Sequence, residues 1–393
     1  MVQMVQMVCE MTRNPFTPGL PINPGQFVGR KGELQVFVQS LEQSFYGNPQ
    51  NLAIMGDRGI GKSSLLRKFE SVARDKNCLV VRRDIDASVD SLQMLAYFIL
   101  YALKEEGKKF FPRRKKAKNA VTGFFQKYKI ALSLSGFGGS VERMPSVAIQ
   151  EEFYKELSEI AQNIQSHVPV TVIMLDEAEH IQNIEGAWGF LRSVFTRLLE
   201  NDHHFFVVVC GKLGLFRNIK EIFSPMERFF FPRGIGLLTP DETIEAIEKP
   251  MIRNDITIAE PVKKSLVEYT DGHPFIIQVF GYYLFELGEL MIDEALFQRE
   301  LPNILERLKV QVFRDRYSSA SPKEKRILNF MAFSKNDVFK PAEIVDSLKM
   351  KVARNLLRRL AEKDCLKRVG RGQYTFFHKL FKLYIQTEVE SAQ

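Results

Sequence analysis

Gly56-Asp57-Arg58-Gly59-Ile60-Gly61-Lys62-Ser63 is the stretch that decides how this chain is read. A glycine, four residues and then Gly-Lys-Ser lie between an apolar run, Leu52 to Met55, and a helical pattern from about Lys62 to Arg74. Strand, glycine-rich turn and helix form the context in which this spacing wraps a phosphate. Gly56, Gly59 and Gly61 let the backbone turn its N–H groups toward phosphate oxygens. The N-terminus of the following helix adds its dipole at the same place. Lys62 is expected to reach the β and γ phosphates, and Ser63 to ligate Mg2+ through its hydroxyl. Asp57, Arg58, Ile60 and Ser64 complete the expected phosphate-binding stretch.

A second motif lies further along the chain. Val170 to Leu175, apolar except for Thr171, ends in Asp176-Glu177. A buried parallel strand delivers such carboxylates to the carboxyl edge of its sheet, where ligands bind. Asp176 is expected to hold Mg2+, mostly through water, and Glu177 to orient and deprotonate the attacking water. Further strands are expected at Leu79–Arg83, Phe205–Cys210 and Gly234–Leu238, with helices between them. This alternation implies an α/β fold, a parallel sheet covered by helices on both faces. No NKxD motif speaks for a Ras-type GTPase, and Leu134-Ser135-Gly136-Phe137-Gly138-Gly139 lies too close before Asp176 to serve as an ABC transporter signature. ATP hydrolysis is the reading that remains.

The chain has 393 residues, which suggests two or three domains. Its composition, 45% hydrophobic and 26% charged, excludes a disordered chain, a collagen-like fibre and a small disulfide scaffold. No apolar run approaches the ~20 residues that span a bilayer, and Met1 to Met11 lacks the layout of a signal peptide. Cys9, Cys78, Cys210 and Cys365 stand far apart. A reduced, cytoplasmic protein with no cysteine metal site and no membrane partner is expected.

The net charge of +8 is unevenly placed. Residues 321–393 hold 16 Lys or Arg against 8 Asp or Glu, so the rest of the chain sums to zero. Within that neutral part, Lys108, Lys109, Arg113, Arg114, Lys115, Lys116 and Lys118 form a basic block read as either an extra phosphate contact or a loop. The C-terminal segment reads as a winged helix-turn-helix. Ser321 and Glu324 form a capping-box pattern. Pro341 opens a second helix, and a third runs from about Lys351 to Lys363. On the third, Val352, Leu356, Leu357 and Leu360 share one face and Lys351, Arg354 and Arg358 the opposite one. Residues 366–376 read as a wing turning at Gly370 to Gly372, with Arg368 and Arg371 on it. A basic helix and a basic wing suit duplex DNA, the helix entering the major groove; a protein contact is the alternative.

These motifs together resemble the archaeal branch of P-loop ATPases near the AAA+ and STAND groups, and are similar to the origin-recognition initiators of archaea. Asn14-Pro15-Phe16, Phe27-Val28-Gly29-Arg30 and Gly272-His273-Pro274 carry the resemblance, together with Ser224-Pro225-Met226-Glu227-Arg228. It implies that Phe27, Val28 and Pro274 line an adenine pocket, the proline sitting on a lid helix. The chain departs from AAA+ relatives at the end of the fourth strand, where Cys210-Gly211-Lys212 replaces the usual Asn, Ser or Thr sensor. Lys212 is a candidate substitute, and Arg228 or Arg233 a candidate finger. The departures imply slow hydrolysis.

The expected organisation is therefore a lead-in over 1–26, a P-loop ATPase core over 27–238 with a basic insertion at about 105–142, a helical lid over 239–317 and a winged helix over 318–393. The expected function is a Mg-dependent ATP switch coupled to DNA, alone or as a homo-oligomer. The alternatives are a STAND-type signalling or defence ATPase whose winged helix binds protein, and an ATP-binding scaffold without turnover.

Overall fold

Apolar runs too short for helices become the strands of one sheet. They are β1 (Asn51–Met55), β2 (Leu79–Asp84), β3 (Thr171–Asp176), β4 (Phe205–Gly211) and β5 (Phe230–Gly234). The computed structural model describes residues 13–108, 145–213, 215–216, 226 and 228–391. All pairings in this sheet are parallel, in the order β2-β3-β4-β1-β5. Every residue of β3 and β4 is buried, as expected where helices cover both faces. The helices are α1 (Lys31–Phe45), α2 (Lys62–Asp75), α3 (Leu92–Gly107), α4 (Ser146–Ile164) and α5 (Ala187–Glu200). Phe37 of α1 stacks on Phe69 of α2 at 4.1 Å, and Phe153 of α4 stacks on Phe190 of α5 at 5.3 Å.

The fifth strand corrects the sequence reading. It spans Phe230–Gly234 rather than Gly234–Leu238. Among the described residues this strand pairs only with β1, at the edge of the sheet, where a proline such as Pro232 is tolerated; only its Phe230 is buried. An exposed edge strand carries no continuous apolar run, so its sequence signal is weak. The basic block beyond Lys108, and the hairpin read at Ile130 to Ser135, lie outside the described residues.

The described residues fall into two compact units, one of residues 21–56 and 61–236, the other of 13–20, 57–60 and 237–391. The second is mainly helical. It begins with α6 (Pro240–Ile252), α7 (Glu260–Thr270), α8 (Pro274–Glu286) and α9 (Glu294–Leu308). Two-residue strands β6 (Thr257–Ile258) and β7 (Met291–Ile292) pair between these helices. They are too short to show periodicity. A π-helical turn, Lys309–Phe313, leads from α9 into α10 (Arg314–Ser318).

After these come α11 (Pro322–Phe333), α12 (Pro341–Leu348), α13 (Ala353–Glu362), the antiparallel pair β8 (Leu366–Gly370) and β9 (Gln373–Phe376), and α14 (Lys379–Ser391). This arrangement fits a winged helix. Ser321 caps α11 in a full capping box with Glu324, as the sequence predicts. Val352 departs from expectation: it is half exposed because α13 starts only at Ala353. Lys351 therefore lies in the turn before the helix, while Arg354 and Arg358 sit on it, all three exposed.

The unit also contains the end of the lead-in. Phe16 is 1% exposed and packs against Gly281 of α8. Asn14 donates from Nδ2 to the Tyr282 carbonyl, and the Thr17 N–H donates to Gln278 Oε1.

Candidate functional site

The sheet order sets the chemistry. β3 and β1 flank β4, so the carboxyl ends of all three strands emerge at one edge. The Gly56 N–H donates to the Gly211 carbonyl at 3.2 Å, which ties the first residue of the glycine loop to the end of β4. Gly59 and Gly61 take left-handed backbone, with φ of 78° and 91°. A side chain would strain both, so the loop requires glycine there. Lys62 starts α2 and donates from Nζ to the Gly56 carbonyl at 3.0 Å. The ammonium thus folds back over the loop.

Asp176 ends β3 and is 2% exposed. Its Oδ2 accepts from the Ser63 hydroxyl at 2.6 Å, and its Oδ1 accepts from the Glu177 N–H at 2.9 Å. The two residues predicted to hold Mg2+ therefore already meet, and both offer the hard oxygens that this ion prefers. The donor set fits the ion. Cys210, in β4, carries a buried thiol; burial and the neighbouring Asp176 carboxylate push it well above its ordinary range. Ser64 is buried, and its hydroxyl accepts from the Ile22 N–H, so it anchors the lead-in.

Glu177 follows with φ 52°, a conformation that non-glycine residues adopt at a cost. One side of the side chain is open to solvent. Burial of the other side and the neighbouring Glu179 carboxylate hold its carboxyl above the usual range, against the pull of Lys62 and Lys212. A carboxylate with raised proton affinity at the mouth of a phosphate loop is suited to accept a proton from water.

Lys212 stands half exposed one residue beyond β4, 3.9 Å from Glu179. Glu179 was not singled out in the sequence. Its place in the short turn Ala178–Asn183, two residues past Glu177, is the signal that could have found it. Arg228 is exposed, while Ser224, Pro225 and Glu227 lie outside the described residues. Arg233 is also exposed and stacks over the Phe231 ring at 4.9 Å.

Phe27 and Val28 are half-buried in the sheet unit. Arg30, which follows them, donates to the Gly236 carbonyl. Pro274 opens α8 in the other unit. Residues Asp57–Ile60 count with that helical unit too. There Arg58 lies 3.9 Å from Asp364, and a Cβ on Gly59 would come within 3.0 Å of the His273 ring. His273 is 5% exposed, and burial together with His378 and Arg316 pushes its imidazole down to about 3.

The predicted DNA-contacting residues Lys351, Arg354, Arg358, Arg368 and Arg371 are all exposed. Arg358 pairs loosely with Glu362 at 3.6 Å, and the Arg368 guanidinium lies 5.5 Å over the Tyr374 ring. No helix among the described residues is long and apolar enough to cross a membrane.

Residues 26–209 match the AAA ATPase domain family. An uncharacterized HTH-type transcriptional regulator of Methanocaldococcus jannaschii is 24% identical over 283 residues, 66% of this chain. The match spans 64% of that relative's own length. Among solved structures, the Walker-type ATPase of Pyrococcus abyssi is similar with a TM-score of 0.60 and 17% identity, over 92% of this chain and 96% of that one. The ORC2 protein of Aeropyrum pernix is similar with a TM-score of 0.54 and 12% identity, over 96% and 98%. At these identities the two structures speak for the fold. The parallel sheet, the glycine loop and the paired Ser63 and Asp176 agree with that match, and the chain has the P-loop ATPase fold.

Proposed function

We propose that this protein is a slow, Mg-dependent ATP-hydrolysing switch that couples its nucleotide state to duplex DNA through the C-terminal winged helix. The observation that carries the reading is the meeting of Ser63 and Asp176 at 2.6 Å beneath Lys62, with Glu177 next in the chain at the same sheet edge. In this reading the backbone N–H groups of Gly56–Ser64 and the Lys62 ammonium bind the phosphates. Ser63 and Asp176 hold Mg2+, which when bound neutralises charge on the phosphate oxygens. Glu177 orients the attacking water and takes its proton. Phe27 and Val28 contribute to adenine binding, and Lys212 or Arg228 responds to the γ-phosphate. Lys351, Arg354, Arg358, Arg368 and Arg371 contact DNA phosphates. The HTH-type description of the Methanocaldococcus jannaschii relative supports a DNA partner.

A second reading, a signalling ATPase whose winged helix binds protein, is favoured by Val352 and Val369. Both are half exposed among the basic residues, and apolar side chains there suit a protein partner better than a phosphate backbone.

ATP turnover with and without duplex DNA, beside Glu177→Gln, tests the proposal. Turnover stimulated by DNA and abolished in the variant is the expected result. DNA affinity should fall steeply with salt, because phosphate contacts release counterions, and should be lost in Lys351→Glu/Arg354→Glu/Arg358→Glu. Turnover indifferent to DNA, with no DNA binding at about 0.1 M salt, would replace this reading with the protein-binding one.

A further inference from the structure

Glu179 is a carboxylate just past the end of β3 to which the proposed reaction gives no task. It sits in the turn Ala178–Asn183 after β3. Its Oε1 faces the Lys212 ammonium at 3.9 Å. Its Oε2 is enclosed and has no hydrogen-bond partner among the described residues. That oxygen would lie 3.0 Å from a Cβ on Gly211, so the missing side chain of Gly211 makes room for it. Glu179 follows Glu177 by two residues in this turn, and its negative charge helps to hold the Glu177 carboxyl above the usual range. Gly211 in turn holds the Gly56 N–H at the start of the glycine loop. Glu179 thus bridges the proposed base on one strand end and a cation on the next, against the residue that anchors the loop.

We propose that Glu179 is a positioning residue of the ATPase site: it sets the orientation of Glu177 and leashes Lys212. Two carboxylates side by side repel each other, and a free Glu177 would swing into solvent. Lys212 offsets that repulsion by neutralising Glu179. The neutralised pair becomes a wall that limits the rotamers of Glu177. The leash also keeps part of the Lys212 charge from the phosphate-binding loop. The inference rests on the reading of Glu177 as the base.

The test uses the full chain and two readouts: turnover, and direct binding of a non-hydrolysable ATP analogue. Glu179→Ala should lower kcat by up to about 100-fold, the lower end of what a placed acid–base group contributes, while analogue affinity is held or rises as Lys212 is released. Glu179→Gln should recover most of kcat, because its amide can donate to the Glu177 carboxylate, yet keep the raised affinity. Adding Lys212→Met to Glu179→Ala should return analogue affinity to about the parent value. Retained kcat in Glu179→Ala, or turnover and affinity falling together, overturns the inference. Glu177→Gln separates the two levels. If it still turns over ATP, the base reading fails; if it is inactive while Glu179→Ala is unaffected, only the positioning role fails.

Discussion

Replacing Gly281 with alanine pits two well-known effects against each other. In the interior of α8 (Pro274–Glu286), alanine is favoured over glycine by about 1 kcal/mol. A methyl group on Gly281 would come within 2.7 Å of Phe16 Cζ and closer still to Cε1 and Cδ1. That ring is 1% exposed, and its backbone is tied down on both sides. The Phe16 N–H donates to Asn14 Oδ1, and the Thr17 N–H to Gln278 Oε1. A ring so held has little room to yield, so overpacking costs about 1–3 kcal/mol. The clash should win, leaving Gly281→Ala about 1 kcal/mol less stable than the parent. Phe16→Ala should cost more, about 3–5 kcal/mol. In the double variant the new methyl would enter the space the ring leaves, so its cost should fall short of the sum by about 1 kcal/mol or more. Urea denaturation followed by circular dichroism measures the three values, and amide exchange in α8 localises them. A Gly281→Ala protein as stable as the parent, or a strictly additive double variant, would refute the packing argument.

Other predictions concern binding and pH. Lys62→Ala removes a charged donor to phosphate worth about 1.5–3 kcal/mol, so ATP affinity by calorimetry should fall about 10- to 100-fold. Glu156 is 5% exposed on α4 (Ser146–Ile164), and burial beside Glu159 and Glu152 pushes its carboxyl up to about 7. The folded state then favours the protonated form, so stability should fall as pH rises from about 4.5 to 7; Glu156→Gln should remove that slope and gain about 2 kcal/mol at pH 8 in urea denaturation. His378 donates from Nε2 to the Thr270 carbonyl and accepts from the Leu380 N–H at Nδ1, which fits only the neutral ring. Burial pushes it down to about 4, as it pushes His273 to about 3. Stability from both is full above pH 6.5 and lost as pH falls toward 4, a slope that His378→Gln should flatten by about 1–3 kcal/mol across that window.

The phosphate loop and the carboxylates at the end of β3 were legible from sequence because their chemistry depends on short-range order. A glycine at a fixed spacing, a lysine at a helix start and acids after a buried strand are all local patterns. The sheet class followed for the same reason, since a strand buried on both faces must be apolar throughout. The edge strand β5 (Phe230–Gly234) obeys no such rule, as only one of its residues is buried. The start of α13 at Ala353 also escaped the reading. Lys351 and Val352 continue the helical spacing of charge and apolar residue, but the backbone ends its regular turn before them.

By itself, then, the sequence determined which residues can grip a phosphate and which strand ends carry acid, because spacing along the backbone fixes both. Tertiary structure alone decided that Ser63 meets Asp176 across 113 positions and that Glu179 faces Lys212. It also decided that Phe16 seats on Gly281. Those contacts follow from the order β2-β3-β4-β1-β5 and from the close packing of α8, and no pattern within a single segment encodes which segment will lie beside it.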